Sequence, residues 1–386
     1  MGSLGAFAVF LYPLFSLFWV QGDLLNHRGY YVGHDFVNYW TGARLAWEGR
    51  LATLYDIGAY NALLRSWFAP MDRFMIFSYP PHALLPLLPL AALPYLAAQA
   101  IWTVGGIAVF LKASLGNLSA RGDKVLLAAI VLSPVVLNNV VFGQAGLWLA
   151  ALFVAVFKLL PTRPIAAGAL LGLLTIKPQL GLVLPIVLVA LGCWRAIGAA
   201  IVSGIVLAAV SVVLFGIEPW QAYVQDISPR QWQFVWAMKG FYTFVMCSPY
   251  AAFWWLGLPA PVALALHGIV SVGILGATVL AVRGPAAWSL KVAIVAFAAV
   301  LVTPYVITYD LAIPLAALLW HLSERKQPLD RLQDMALFVL WLSAFMIALY
   351  VQPTGVALGA FAVMAMFAAL AREALAQHVL RKLAPT

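Results

Sequence analysis

The sequence predicts an all-α, polytopic integral membrane protein with about twelve transmembrane helices and a helical first outer loop. Three observations carry this. Of the 386 residues, 65% are hydrophobic and only 9% are charged, with mean hydropathy +0.97, a balance foreign to water-soluble proteins. The apolar residues come in runs of about 17 to 25, the length a helix needs to cross a bilayer core. The runs are continuous rather than alternating, which favours helices over a closed barrel, the other backbone that satisfies its polar groups in lipid.

The first run, Leu4 to Val20, has no basic residue before it and no clear small-residue cleavage site, so it reads as a retained span. Residues 22–82 then form a first extracytoplasmic loop, with two amphipathic segments, Asp35 to Glu48 and Asp56 to Phe68, parted by Gly49. Span centres follow near Ala98, Val131, Leu152, Leu170, Leu184, Leu207, Ile269, Phe297, Leu315, Leu340 and Ala362, after a first near Phe10. Between Leu207 and Ile269 lies a second extracytoplasmic loop, residues 216–256, with Glu218, Asp226, Arg230 and Lys239 among many Trp and Tyr. Its aromatic run from Phe241 to Leu256, interrupted by Pro249, is a candidate interfacial helix. Asn138 to Gln144, Ile176 to Gln179 and Thr303 to Tyr309 are short breaks with polar groups and Gly or Pro at membrane depth. Non-helical backbone there is tolerated only inside protein or against a wet cavity. No internal repeat and no soluble domain is visible, so residues 1–386 read as one membrane domain.

The formal charge is +9, from 22 basic and 13 acidic residues. In a soluble chain that excess points to nucleic acid; in this chain the placement of Lys and Arg decides instead, and no nucleic-acid partner is expected. Lys112, Arg121, Lys124, Lys158, Arg163, Arg195, Arg283, Lys291, Arg325, Lys326, Arg331, Arg372, Arg381 and Lys382 all fall on one side, which the positive-inside rule makes cytoplasmic, with both termini. Arg28, Arg44, Arg50, Arg65 and Arg73 oppose the trend from a loop of about 60 residues, long enough for the rule to weaken. Cys193 and Cys247 fall on opposite sides, so no disulfide is expected between them. Neither they nor His27, His34, His82 and His267 show metal-ligand spacing, and no metal or cofactor is expected.

Ionisable groups in or beside spans are costly and suggest function. Asp35, Lys177 and Asp310, with the carboxamide of Gln144, come from separate segments to one level on the outer face, and a single cavity would satisfy them all. Each also has a plainer reading. Asp35 suits a helix N-cap, as does Asp56. Lys177 suits a lysine reaching for outer headgroups, and Asp310 suits a partner for a buried cation or for backbone amides. Gln144 suits interhelical bonding, and His267 suits packing. There is no phosphate-binding Gly-rich loop with Lys, no nucleophile elbow, no HExxH and no Asp-X-Asp, so no site for ATP- or nucleotide-sugar-driven chemistry is visible.

A set of motifs resembles glycosyltransferase family 87, within the GT-C superfamily of membrane glycosyltransferases. It comprises His34-Asp35-Phe36, Tyr39-Trp40, Gly42-Ala43-Arg44, Gly49, Leu54-Tyr55-Asp56 and Phe77-Ser78-Tyr79-Pro80-Pro81-His82, running into the Leu-Pro stretch from Leu84 to Leu90. Phe142-Gly143-Gln144, Lys177-Pro178-Gln179 and Pro304-Tyr305 with Asp310 complete it. The first-loop block with the Tyr-Pro-Pro segment is the most specific part. The resemblance implies a polyprenyl-phosphate sugar donor, often mannose, and a lipid or glycan acceptor, with transfer on the outer face of a bacterial inner membrane. It also implies that Asp35 is the catalytic base. The chemistry of the residues agrees: a lipid-phosphate sugar is already activated, and its transfer needs a carboxylate for the acceptor proton and a cation for the departing phosphate. Lys177 is the first choice for that phosphate, with Arg44 and Arg230 as alternatives. Gln144 and Asp310 are candidates to orient sugar hydroxyls, and His34 and Tyr39 to line the sugar or acceptor site. One base and no nucleophile make direct inverting displacement the simplest path. The rival reading is a lipid or glycolipid transporter or flippase, with the same polar residues forming an alternating-access site. A third is a non-catalytic membrane scaffold.

Overall fold

The computed structural model describes residues 20–21, 24–26, 29–68, 74–115, 130–237, 245–325, 331, 335 and 358–383. They are overwhelmingly helical, with one antiparallel pairing of two-residue strands, Val20–Gln21 with Leu25–Asn26. The chain divides into two compact units, one of residues 1–106, 137–145 and 205–234, the other of residues 107–136, 146–204 and 235–386.

In the first unit the expected amphipathic segments are helices, Phe36–Trp47 and Ile57–Trp67, with a short helix Leu51–Tyr55 between them. Asp56 caps Ile57–Trp67: its Oδ1 accepts from Ala59 N at 2.9 Å. That helix turns Tyr60, Asn61 and Leu64 inward at helical spacing. Asn61 then fastens the extended chain beside it, donating to Met75 O at 2.9 Å and accepting from Met75 N at 2.8 Å. Helix does not resume before Pro81: Pro80 is extended, ψ 154°, because a residue before proline is steered out of the helical region.

Pro81–Ala92 is a twelve-residue 3₁₀ helix, far longer than most. Its composition explains it. Pro86 and Pro89 have no amide hydrogen and their rings clash with an α-helical preceding turn. It packs on the Phe36–Trp47 helix. Gly42 makes the approach possible: a Cβ there would lie 3.0 Å from Leu84 Cδ2 and from Phe77 Cε2. Trp40 Nε1 donates to Leu93 O at 2.9 Å and Arg44 Nη1 to Ala91 O at 3.1 Å, satisfying carbonyls at the 3₁₀ terminus.

The second unit is built around Trp288–Leu301, whose residues from Val292 to Leu301 are all buried. Four of those ten are alanine, so Ala312–Glu324, Leu358–Leu383 and Ala260–Arg283 pack closely around it.

Four helices are long and apolar enough to cross a membrane: Tyr95–Leu115, Trp194–Phe215, Ala260–Arg283 and Gly359–Gln377. Large apolar side chains stand exposed on all four, among them Val104, Val213 at 83%, Val272 at 71% and Phe361, as lipid-facing residues do. The expected count of about twelve spans is not reproduced among the described residues. Gly146–Leu159 and Trp288–Leu301, with fourteen residues each, reach about 21 Å, short of the roughly 30 Å apolar core. Pro164–Ile176 and Pro178–Ala190 are likewise short, because Lys177-Pro178 breaks what hydropathy alone presents as neighbouring runs. The centres near Phe10 and Leu340, the first run Leu4 to Val20 and the opening of the Phe241 to Leu256 run fall wholly or partly outside the described residues. The rest of that aromatic run forms a helix at Pro249–Trp255, capped by Ser248. Both cysteines are free thiols.

Candidate active site

Asp35 enters the Phe36–Trp47 helix from a tight turn. His34 N donates to Tyr31 O at 2.8 Å and Phe36 N to Gly33 O at 2.7 Å. Gly33 and His34 both adopt positive φ, +80° and +41°; the second is a strained position for a non-glycine residue. Asp35 stands at the N-cap position, yet its side chain makes no capping bond. Its Oδ2 instead accepts from Gln144 Nε2 at 2.6 Å. The capping role belongs to Asp56, and the Asp35 carboxylate is turned to another part of the chain.

Gln144 is delivered by a helix end. Pro134–Phe142 stops at Gly143, φ +59°. Gln144 N donates to Asn139 O at 3.0 Å and Gly143 N to Val140 O at 3.3 Å, the paired bonds of a Schellman termination. The carbonyls beyond are used as well: Phe142 O accepts from Asp35 N at 3.0 Å and Gly143 O from Trp102 Nε1 at 3.1 Å. A Cβ on Gly143 would overlap Gly33 O and Phe36 Cβ, so glycine is what lets this helix end touch the Asp35 turn.

Two phenols complete the cluster. Tyr39 Oη donates to Gln144 Oε1 at 2.9 Å, Tyr79 Oη donates to the same oxygen at 3.2 Å, and the two hydroxyls are 2.7 Å apart. Tyr39 is four residues beyond Asp35, hence on the same face of the helix. Tyr79 is held through its own backbone, whose carbonyl accepts from Tyr55 Oη at 3.0 Å. Gln231 Nε2 binds the adjacent Ser78 O at 2.5 Å. The amide hydrogen aimed at Asp35 favours the ionised carboxylate. Behind the cluster, Tyr60 Oη donates to Asn38 Oδ1 at 2.7 Å, and burial first, with the Asp35 charge contributing, raises the Tyr60 phenol well above its ordinary value.

His34 is buried beside this cluster, stacked on Tyr30 with centroids 4.4 Å apart and edge-on to Phe142 at 5.1 Å. Arg44 is not beside Asp35. Nine residues along one helix separate them by roughly 13 Å, and the Arg44 guanidinium pairs with Glu48 at 2.8 Å. Arg230 is exposed on the Ser228–Trp236 helix, one residue from Gln231.

In the second unit Lys177 and Asp310 meet each other. Lys177 Nζ lies 2.7 Å from Asp310 Oδ1, with the two residues 4% and 2% exposed. Lys177 also sits over the Tyr309 ring, 4.7 Å from its centroid, and Ile307 N donates to Asp310 Oδ2 at 3.3 Å. Asp310 is thus at once partner to a buried cation and to a backbone amide. Lys177 is interior rather than at an exposed surface.

The residue passed over was Tyr79. Its signal was present: a phenol immediately before Pro80-Pro81, where helix is disfavoured. Among the described residues no group of three or more His, Cys, Asp or Glu is placed to hold a metal.

The sequence model of Glycosyltransferase family 87 matches residues 77–304, more than half of the chain. The chain belongs to glycosyltransferase family 87. No curated protein and no solved structure matches it. Within this family 87 enzyme the matched stretch contains Tyr79, Gln144, Lys177 and Arg230, while Asp35, Tyr39 and Arg44 precede it and Asp310 follows it. The enzyme is therefore a glycosyltransferase with membrane-length apolar helices, and it acts on a sugar donor and an acceptor.

Proposed function

We propose that this glycosyltransferase moves a sugar, mannose first among candidates, from a polyprenyl-phosphate donor to a hydroxyl of a lipid or glycan. The observation that carries the reading is Asp35: a carboxylate at a helix start that caps nothing and is held by a neutral amide. An acceptor hydroxyl must lose its proton as it attacks the anomeric carbon, and a positioned carboxylate takes it. The carbon–oxygen bond to phosphate breaks as the new glycosidic bond forms, and the lipid phosphate leaves with the electron pair. No enzyme nucleophile is required, so the configuration inverts.

The leaving phosphate needs a cation. Arg230 is the strongest of the three candidates, because it is exposed and stands beside Gln231, which holds the Tyr79 segment. Arg44 is engaged by Glu48, and Lys177 by Asp310. His34 and Tyr39 flank Asp35 and suit the walls of the sugar or acceptor site; Asp310 serves with Lys177. Clustering of Lys and Arg outside the two long loops supports an extracytoplasmic site in a bacterial inner membrane, in a single domain with more spans than the four long helices. The test is incubation of the purified protein with radiolabelled polyprenyl-phosphate mannose and total membrane lipid. A new labelled glycolipid is expected; label that only changes leaflet in reconstituted vesicles would favour a flippase.

A further inference from the structure

Building on Asp35 as the base, we propose that Tyr39 and Tyr79 form a redundant lock on the Gln144 side-chain amide, and that this lock holds Asp35 in its ionised form. The two ends of a glutamine amide are nearly the same size, so the hydrogen-bond partners decide which way it faces. Gln144 Oε1 faces two phenol hydroxyls, at 2.9 and 3.2 Å, and Nε2 faces Asp35 Oδ2 at 2.6 Å. The hydroxyls are also within 2.7 Å of each other. When Tyr39 donates to Tyr79, the Tyr79 hydroxyl remains within reach of Oε1, and when Tyr79 donates to Tyr39, the Tyr39 hydroxyl does. In either arrangement a phenol is placed to donate to the amide oxygen.

A flipped amide would present Oε1 to the carboxylate. Two acceptors at that distance are tolerable only if Asp35 carries a proton. The amide direction and the Asp35 charge are therefore one linked equilibrium, and the phenols bias it. A hydrogen bond donated to a charged carboxylate lowers its pKa. Losing the oriented donor raises it, and the acid limb of a base-dependent rate moves to higher pH. Tyr39 and Tyr79 are thus positioning residues that act through Gln144.

The redundancy gives the lock a signature. Full-length protein is prepared as wild type, Tyr39→Phe, Tyr79→Phe, the double variant, Gln144→Leu and Asp35→Asn. The pH profile of transfer from radiolabelled polyprenyl-phosphate mannose to total membrane lipid is one readout. The other is infrared titration of the Asp35 carboxyl, assigned by the band missing in Asp35→Asn. Each single Phe variant should titrate within about 0.3 pH unit of wild type, since one phenol remains. The double variant should titrate roughly one unit higher, a tenfold change in the proton concentration at half-ionisation, and Gln144→Leu at least as high. Phe keeps the ring, so a role in packing alone leaves the double variant at the wild-type midpoint, and that result overturns the lock. Equal, additive shifts from the two single variants overturn the redundancy. A shifted infrared midpoint with normal transfer by Asp35→Asn would leave the lock standing while removing Asp35 as the base.

Discussion

Replacing Asp35 by Asn separates catalysis from architecture. Asn is almost isosteric and can present its Oδ1 to Gln144 Nε2, where the carboxylate now accepts at 2.6 Å. Because the Asp35 side chain makes no capping bond, no cap is lost. The bond from Gln144 loses its charge assistance. Bonds to charged groups contribute about 1.5 to 3 kcal/mol and neutral ones about 1, so this bond should weaken by at most roughly 2 kcal/mol, and less for a partly exposed group. The rate should suffer far more. An amide cannot take the acceptor proton, and loss of a general base costs about 10²- to 10⁴-fold, or roughly 2.7 to 5.5 kcal/mol of barrier. The assay compares thermal midpoint, donor binding and transfer at saturating donor for wild type and Asp35→Asn. The expected variant is folded, binds polyprenyl-phosphate mannose and scarcely transfers it. Transfer within a few-fold of wild type, at an unchanged midpoint, would refute the assignment and make Asp310 the next candidate.

Further outcomes are equally specific. Gly143→Ala and Gly49→Ala both place a side chain at positive φ, with a cost of about 1 to 2 kcal/mol, but only Gly143 meets other atoms, so its variant should be the less stable and should also lose transfer; equal melting midpoints would contradict the Gly143–Gly33 contact. Lys177→Ala strands Asp310 in the interior, which typically costs about 3 to 5 kcal/mol, whereas the double variant Lys177→Met with Asp310→Leu should recover most of the stability. If that stable double variant loses donor affinity, Lys177 rather than Arg230 holds the phosphate. Burial raises the Tyr60 phenol above the ordinary value near 10.0, so its contribution to stability is complete below that pH and declines as pH rises toward the folded value. Tyr60→Phe should flatten the fall in melting midpoint above pH 10, although it is less stable at neutral pH because Asn38 Oδ1 loses a donor; an unchanged alkaline slope would exclude Tyr60 as the titrating group.

Local signals in the sequence translated well into local structure. Alternating charge and apolar residues around Gly49 became the Phe36–Trp47 and Ile57–Trp67 helices, and Asp56 became a cap. The three polar breaks emerged as a Schellman end at Gly143, two 3₁₀ turns around Lys177 and a 3₁₀ turn at Asp310. The count of about twelve spans is not confirmed among the described residues, because hydropathy is blind to backbone. A run such as Leu170 to Val189 is apolar almost throughout, yet Pro178 removes an amide hydrogen and divides it into helices of less than membrane length. The Leu-Pro stretch has the same hydropathy as a helix, and only the spacing of Pro86 and Pro89 betrays the 3₁₀ form.

The site was legible as a list of residues but not as pairs. Asp35 and Gln144 are 109 positions apart, and nothing in either motif names the other as its partner. The link is made by Gly143, whose missing Cβ lets the helix end approach the Gly33 carbonyl, while Gly33, also at positive φ, forms the turn. Lys177 and Asp310, read separately as a phosphate ligand and a sugar ligand, are one ion pair. The distinction matters for the chemistry. A cation against Asp35 would hold the carboxylate ionised but weaken it as a base, since an opposite charge lowers a carboxyl pKa by one to three units at close range. It would also attract the donor phosphate to the acceptor side. The Gln144 amide, oriented by phenols, steadies the carboxylate with a smaller shift than a cation at the same distance would impose. The leaving phosphate is the place where a cation helps, and in the unit that holds Asp35 the exposed Arg230 is the group proposed for it.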